Sequence, residues 1–227
     1  MGAACVRMLE PLDAIAAEAA RLAGDPAALA EQLGPVADLG TLHLPAVSPF
    51  GRVTSVGALR GFLEQYQVQV LVPVDLPAIH RAFGHASRNE LRELIALDRE
   101  LCAQPALREF AAASGVVGRS QLRRLLPLRG LRLVRRYFEA VERGEARGWH
   151  TLVYGLMLSL YSLPLRQGLV GYGRQTLYGF IQAAAGPLAL TEVESRKLLE
   201  ECLPVLREGM ERALGPRVGL TLPDQPG

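Results

Sequence analysis

The sequence predicts an all-α fold, a single-domain multi-helix bundle with a Pro/Gly-rich N-terminal loop region. Three observations support this prediction. Hydrophobic residues make up 49% of the 227 residues, and alanine and leucine dominate the apolar segments, which favours helices. Apolar residues recur at helical spacing in successive segments, often behind a capping residue. The chain is also long enough to bury one sizeable core.

The first 50 residues are predicted to form two short helices followed by a loop region. Leu12–Ala23 places apolar residues on one helical face and ends before a Gly-Asp-Pro sequence, and Ala27–Leu33 has the length of a second short helix. Prolines and glycines then recur between Gly34 and Gly57 too densely for a long helix or strand.

Capping residues mark the next two helices. Ser55 is expected to cap a helix that extends to about Gln67, after which VQVLVPV has strand character. Ser87 and Glu90 are expected to form a capping box at the start of SRNELRELIALDRELC. The apolar face of that helix carries one polar residue, Asp98.

Two further helices are predicted in the middle of the chain. Pro105 is expected at the first position of PALREFAAASGVVGRSQLRRLL, and RGLRLVRRYFEAVERGEARG forms the next helix. The first of them is rich in small residues, which would let another helix approach closely. These small residues are Ala111, Ala112, Ala113, Ser114, Gly115 and Gly118.

The C-terminal third is predicted to contain three helices. Leu152–Leu165 is uncharged but shorter than the ~18 to 20 residues of a membrane span, so we expect a buried core helix. Pro164 is expected to start the next helix. Thr191 and Glu194 should form a capping box for the last helix, which Pro204 should kink or split.

Composition bears on several classes of protein. The net charge of +2 is too small to indicate a nucleic-acid partner, and Lys197 is the only lysine. Cys5, Cys102 and Cys202 form no CxxC pair, which is typical of a reducing compartment, and the N-terminus has no signal-peptide pattern. We therefore expect a cytoplasmic protein with no membrane or nucleic-acid partner.

Arginines cluster in the middle of the chain. They are Arg119, Arg123, Arg124, Arg129, Arg132, Arg135 and Arg136. Guanidinium groups could bind phosphate, but Arg132, Arg135 and Arg136 share one helical face, which is the pattern of a solvated surface. A helical regulatory or binding protein that uses this arginine-rich face is one alternative function.

No residue pattern predicts a catalytic, cofactor or metal site. His80 and His85 are five residues apart, which does not fit the i, i+4 pair of a helical zinc site. The glycines of QGLVGYGRQTLYGF lack dinucleotide spacing, so we interpret them as helix-packing residues. A small-molecule enzyme with a pocket around Tyr154 and Tyr172 is a further alternative.

Four segments, taken in order, carry a resemblance to a known family. They are LRELIALDRELCA, LREFAAASGVVGRSQLRRL, GWHTLVYGLMLSLYSLPLRQGL and GPLALTEVESRKLLEECLP. In this order they resemble the successive helices of the urease accessory protein UreF family. The positions that correspond to the family pattern are Asp98, Gly118 with Arg119, Gly148 with His150, and Pro187 with Leu188. The resemblance covers roughly Gly51 to Leu214.

Two segments depart from the family pattern. The closing Gly-Gln turn reads PLALTEVESRKLL here, with Ala189 and Leu190 at the first pair. The early Gly-Phe-Ser-His-Ser-type loop has no counterpart in LGTLHLPAVSPF.

We divide the chain into an N-terminal region (1–50), a UreF-like helical domain (51–214) and a flexible tail (215–227).

The resemblance implies an all-α scaffold that is not an enzyme. Such a protein would form a homodimer, bind the accessory protein UreD (also called UreH), and recruit the GTPase UreG so that nickel reaches the urease apoprotein. The residues that we expect at partner contacts are Arg119, His150, Tyr154, Tyr172 and Arg174. His150 should anchor a buried helix with its ring hydrogen-bonded and Trp149 packed beside it.

The segment Pro164–Ala185 shows more apolar surface than one helix face usually has. The apolar residues in and next to this segment are Tyr161, Leu165, Leu169, Tyr172, Leu177 and Phe180. Either the core surrounds this helix or part of it lies at a homodimer interface, and the resemblance favours the dimer with Tyr172 at the interface.

Overall fold

The computed structural model describes residues 53–126 and 132–214 as helices joined by short connections, with no β-strand in these ranges. The all-α prediction is confirmed. The elements are α1 (Val56–Tyr66), a π-helix (Gln67–Asp75), α2 (Leu76–Ser87), α3 (Leu91–Cys102), a 3-10 helix (Pro105–Phe110), α4 (Ala111–Leu125), α5 (Arg132–Glu142), α6 (His150–Leu160), α7 (Leu165–Ala185) and α8 (Glu192–Leu214). The predicted N-terminal helices and loop, Arg129 and the tail lie outside the described residues.

Helix α6 forms the centre of the core, as its uncharged sequence predicts. Every residue from His150 to Leu158 is buried. Helix α2 packs so closely on α6 that a Cβ at Gly155 would overlap the carbonyl oxygen of Ile79. The apolar run is interrupted after Leu160, where a turn leads into α7. No helix in the described ranges has the length and hydropathy needed to cross a membrane.

Two predicted helix starts are confirmed in atomic detail. The Ser55 hydroxyl accepts a hydrogen bond of 3.1 Å from the Ala58 amide at the start of α1. At the start of α8, the Glu194 amide donates to the Thr191 hydroxyl (3.2 Å), and the Thr191 amide donates to the Glu194 carboxylate (2.8 Å). This reciprocal pair satisfies amides that a helix start leaves without backbone partners.

The capping box predicted for Ser87 and Glu90 is wrong. Ser87 is the last residue of α2, and its hydroxyl donates back to the Phe83 carbonyl oxygen (2.8 Å). The Glu90 carboxylate is held at 2.8 Å by both the His85 ring and the Arg88 guanidinium. The Arg88 guanidinium is a charged donor, which binds a carboxylate more strongly than a backbone amide does, so the Glu90 carboxylate does not cap the helix.

Two predictions about chain breaks also need correction. VQVLVPV has no strand character in the structure and continues α1 as the π-helix, because helical winding buries Val70 and Leu71 in the core. Tertiary packing thus overrides the β-propensity of the valines. The predicted split of α8 at Pro204 is wrong, because the helix continues through this residue, whose ring lies on an exposed face where water can bind the carbonyl that loses its helical partner; a kink there stays a prediction.

Helix α7 places its apolar face in the core and a polar face at the surface. Leu169, Tyr172, Leu177 and Phe180 are each 0% exposed, whereas Tyr161 before the helix is 42% exposed. The prediction that Tyr172 lies at a homodimer interface is therefore wrong, because the monomer already covers this side chain. A Tyr172→Asp substitution would put a charge into the core and could not report on association.

Small residues allow the close packing that the sequence predicts. A Cβ at Gly118 would overlap the carbonyl oxygen of Gly148, and a Cβ at Gly173 would overlap the Leu206 side chain. The first contact joins α4 to the connection before α6, and the second joins α7 to α8. The predicted solvated face of Arg132, Arg135 and Arg136 is exposed on α5.

Candidate interaction site

Asp98 organises the connection that leads into α6. Its carboxylate is 0% exposed and accepts hydrogen bonds from the Tyr137 hydroxyl (2.6 Å) and from the amides of Arg147 (2.6 Å), Gly148 (2.9 Å) and Trp149 (3.3 Å). Helix α3 supplies the acceptor and α5 supplies the hydroxyl. The carboxylate therefore ties two helices and a loop to one point.

The loop conformation that Asp98 holds depends on Gly148. Gly148 has a φ of 78°, in the left-handed region that favours glycine. The next turn is fixed from α4, because the Ser114 hydroxyl accepts the His150 amide hydrogen at 3.0 Å. Sequence reasoning noted Asp98 as a polar residue on an apolar face and as a position of the family pattern, and it missed the set of donors that makes this residue the centre of the region.

His150 starts α6, as predicted, and neither ring nitrogen has a protein hydrogen-bond partner among the described residues. The ring is fully buried. It stacks on Tyr172 with a centroid separation of 5.5 Å and an interplanar angle of 28°. Burial lowers the pKa of His150 to about 4, so the ring is neutral at physiological pH. The predicted ring hydrogen bond finds no protein partner among the described residues, and the ring packs on Tyr172.

Trp149 packs in the same region, as predicted. Its side chain is 2% exposed, and its indole N–H donates to the Cys102 sulfur at 3.4 Å. Tyr154 lies one turn further along α6 and donates its hydroxyl hydrogen to the Gly168 carbonyl oxygen at 3.1 Å. The Tyr154 and Tyr172 rings are 5.1 Å apart between centroids. These contacts lock α6 against α7.

A second buried carboxylate, Asp75, lies at the end of the π-helix. Its recorded hydrogen bond comes from the Tyr66 hydroxyl at 3.0 Å. Burial raises the pKa of Asp75 to about 7, and the Tyr66 and Tyr172 hydroxyls act in the opposite direction. A small cavity beside it is lined in part by Ser114 and Thr151. Its volume of about 10 Å³ is near the lower limit for one water molecule.

The two arginines among the predicted contact residues lie on the surface. Arg119 is exposed on α4, and its Nε donates to the Gly115 carbonyl oxygen at 3.3 Å beside the Gly148 loop. Arg174 is exposed on α7 and lines a groove of about 1130 Å³ between α7 and α8. Val170, Tyr178 and Met210 contribute apolar surface to this groove.

Further charged residues line the same groove between α7 and α8. Arg166 on α7 pairs with Glu211 on α8, and Arg196 pairs with Glu192 at 2.9 Å within α8. Arg207 also lines the groove. In the two described ranges, neither Arg174 nor Arg207 forms an ion pair, so their guanidinium groups remain available to a partner.

The structure thus separates the five predicted contact residues into two groups. His150, Tyr154 and Tyr172 come together in the core and are at most 2% exposed, so they have almost no surface to offer a partner. For Arg119 and Arg174 partner contact stays a prediction. Within residues 53–126 and 132–214, no three His, Cys, Asp or Glu side chains are placed to hold a metal ion.

These features define a helical scaffold whose buried polar groups hold its own fold and whose charged groove faces solvent. The UreF family model matches residues 53–202, and the chain belongs to the UreF family. It is 24% identical over 156 residues to the urease accessory protein UreF of Sporosarcina pasteurii, which covers 69% of this chain and 77% of that protein. Membership supports a urease accessory role rather than a catalytic one.

One departure from the family pattern has a visible backbone consequence. Ala189, which the resemblance places at the first pair of the closing turn, adopts a φ of 51°. The Leu190 amide donates to the Ala185 carbonyl oxygen at 2.9 Å and closes the turn. A side chain in this left-handed region costs about 1 kcal/mol relative to glycine. The turn therefore keeps the backbone that a glycine favours.

Proposed function

We propose that this chain is a cytoplasmic scaffold in urease maturation, which acts with UreD/UreH and the GTPase UreG to bring nickel to the urease apoprotein. The observation that carries the proposal is the family match over residues 53–202, nearly the whole helical core. The scaffold performs no chemistry itself. Its contribution is to hold partners in a fixed relative position.

The groove between α7 and α8 is the surface that best suits partner binding. Interfaces are enriched in arginine and aromatic residues and combine an apolar centre with a polar rim. Arg174 and Arg207 provide unpaired cations, while Tyr178 and Met210 provide apolar surface. We expect a partner with carboxylates spaced to meet both arginines.

A pull-down with the cognate UreD/UreH and UreG at moderate salt tests the proposal. The wild-type chain should retain at least one of them, and failure to retain either would contradict the scaffold function. The double variant Arg174→Glu, Arg207→Glu should lose the partner that uses the groove, because each arginine would then repel its carboxylates. Arg135→Glu, on the exposed face of α5, is the matched control and should bind normally.

Among residues 53–126 and 132–214, no contact favours the nucleic-acid alternative. Arg123 is 3.6 Å from Glu142 and lies over the Phe138 ring at 6.0 Å from its centroid.

A homodimer and the division into 1–50, 51–214 and 215–227 stay predictions. Light scattering at tens of micromolar tests the homodimer, and Tyr161→Asp replaces an exposed side chain without disturbing the core.

A further inference from the structure

The small internal cavity beside Asp75 lies where four parts of the chain meet. Asp75 comes from the end of the π-helix, and Ser114 of α4, Thr151 of α6 and Tyr172 of α7 line the same space. Each of these four residues is at most 4% exposed. Bulk solvent therefore does not supply hydrogen bonds to the polar atoms around the cavity.

Thr151 brings an unpaired hydroxyl to this space. Its Oγ1 is buried and has no protein hydrogen-bond partner among the described residues. A threonine hydroxyl in a helix can donate to a carbonyl oxygen one turn back, but Thr151 makes no such bond. Buried hydroxyls in folded proteins are nearly always paired with protein atoms or with ordered water, because an unpaired one is costly.

Asp75 and Ser114 add an acceptor and a donor to the lining of the cavity. The Asp75 Oδ2 atom accepts from the Tyr66 hydroxyl at 3.0 Å, and a carboxylate has further lone pairs that can accept. The Ser114 oxygen accepts the His150 amide hydrogen at 3.0 Å, which leaves its own hydroxyl hydrogen to donate. A ligand of this cavity must therefore both donate and accept hydrogen bonds.

The size of the cavity restricts its ligand to one small molecule. The volume is about 10 Å³, close to that of one water-sized probe. A buried water typically makes about three hydrogen bonds, and two hydroxyls and one carboxylate offer that number. A metal ion is a poorer match, because no three His, Cys, Asp or Glu side chains within 53–126 and 132–214 are placed to hold one.

We propose that this cavity binds one ordered water molecule, which donates to the Asp75 carboxylate and pairs with the hydroxyls of Ser114 and Thr151. The water satisfies the Thr151 hydroxyl and gives the Asp75 carboxylate a donor besides Tyr66. It also joins the π-helix to α4 and α6 through one molecule. The site belongs to the folded chain alone, so the inference does not rest on the proposed function.

Magnetic relaxation dispersion of water oxygen tests the inference on the full chain, because it counts waters that stay inside a protein longer than the protein tumbles. Thr151→Val removes the hydroxyl and keeps the shape of the side chain, so the count should fall by about one. Thr151→Ser keeps the hydroxyl and should keep the water. Thr176→Val is the matched control, because Thr176 is 0% exposed but does not line the cavity.

Urea unfolding gives a second readout, whose sign depends on the water. If the water is bound, Thr151→Val removes a satisfied hydrogen bond, and the folding equilibrium constant should fall about fivefold. If the cavity holds no water, the same variant replaces an unpaired buried hydroxyl with a methyl group, and the constant should rise.

Each outcome supports or overturns the inference. An unchanged water count or a higher folding equilibrium constant in Thr151→Val would overturn it, as would an equal fall in the count for Thr176→Val. A high-resolution crystal structure of the wild-type chain should show a water within hydrogen-bond distance of Asp75 and Thr151, and density without that water would overturn the inference without using any variant. These tests need no urease protein, so their results are independent of the proposed function.

Discussion

Asp98 and Asp75 are both carboxylates buried in a helical core, yet their surroundings differ. Asp98 accepts four hydrogen bonds from one hydroxyl and three backbone amides, all within 3.3 Å. Asp75 has a hydrogen bond from the Tyr66 hydroxyl and a pKa that burial raises to about 7. A buried carboxylate with several backbone donors fixes the conformation of the segment that supplies them.

The two carboxylates also act on different parts of the molecule. Asp98 satisfies amides in the loop before α6, so its loss would strand donors that no water reaches. Asp75 lies at the end of the π-helix and next to α7, where Tyr172 stacks on His150 and its hydroxyl opposes the rise in the pKa of Asp75. The Asp98 region is therefore rigidly specified, while the Asp75 region responds to protons.

The largest expected effect is that of Asp98→Ala. The substitution leaves the Tyr137 hydroxyl and three loop amides unpaired in the core, so we expect a loss of about 4 kcal/mol in the free energy of unfolding. Urea unfolding at pH 7 measures it. Tyr137→Phe removes one donor and should cost only about 1 to 2 kcal/mol. Equal losses for Asp98→Ala and Asp75→Ala would refute the contrast between the two sites.

Gly118→Ala tests the loop from its other side. The added Cβ would overlap the Gly148 carbonyl oxygen, which is backbone and cannot rotate away while Asp98 holds the neighbouring amides. We expect a loss of about 3 kcal/mol by thermal or urea unfolding. Gly61→Ala in α1 is the matched control, since nothing lies within 4 Å of its Cβ. It should gain up to about 1 kcal/mol from helix propensity, and a Gly118→Ala protein as stable as this control would contradict the rigid loop.

Sequence reasoning recovered the helices because apolar spacing and capping residues are local signals. The Thr191 and Glu194 box needs only neighbours in the chain, and it formed as predicted. Asp98 and Asp75 carry the same sequence signal, an acid within an apolar stretch, and only packing assigns them different donors. The surroundings of the His150 ring could not be predicted for the same reason. The fold brings its stacking partner, Tyr172, to the ring.

The third prediction concerns the pH dependence of stability. The folded pKa of Asp75, about 7, lies above its ordinary value of 3.8, so between these values the folded state holds a proton that the unfolded state has lost. Asp75 therefore reduces stability as pH rises through this window, by up to about 1.4 kcal/mol per pH unit. His150 acts oppositely from pH 4 to 6.5, because its folded pKa is lowered to about 4.

Asp75→Asn should separate these opposing contributions. Without the carboxylate, stability should rise with pH between 4 and 6.5, whereas wild type should show a flatter profile there and a decline towards pH 7. Urea unfolding at half-unit pH intervals measures both. Identical profiles for the two proteins would mean that Asp75 does not take up a proton on folding. Glu64→Gln, an exposed position on α1, serves as the control for removing one acid.

His150→Phe is expected to have the smallest effect at neutral pH. Phenylalanine can keep the stacking on Tyr172, and the two ring nitrogens that it removes have no hydrogen-bond partners to lose. Stability at pH 7 should change by less than about 1 kcal/mol. At pH 5 the variant should be more stable than wild type, because an unfolded histidine takes up a proton there and the buried ring does not. A loss above about 2 kcal/mol at pH 7 would show that a bound water satisfies the ring nitrogens, and the polar groups around His150 would then be as fully paired as those around Asp98.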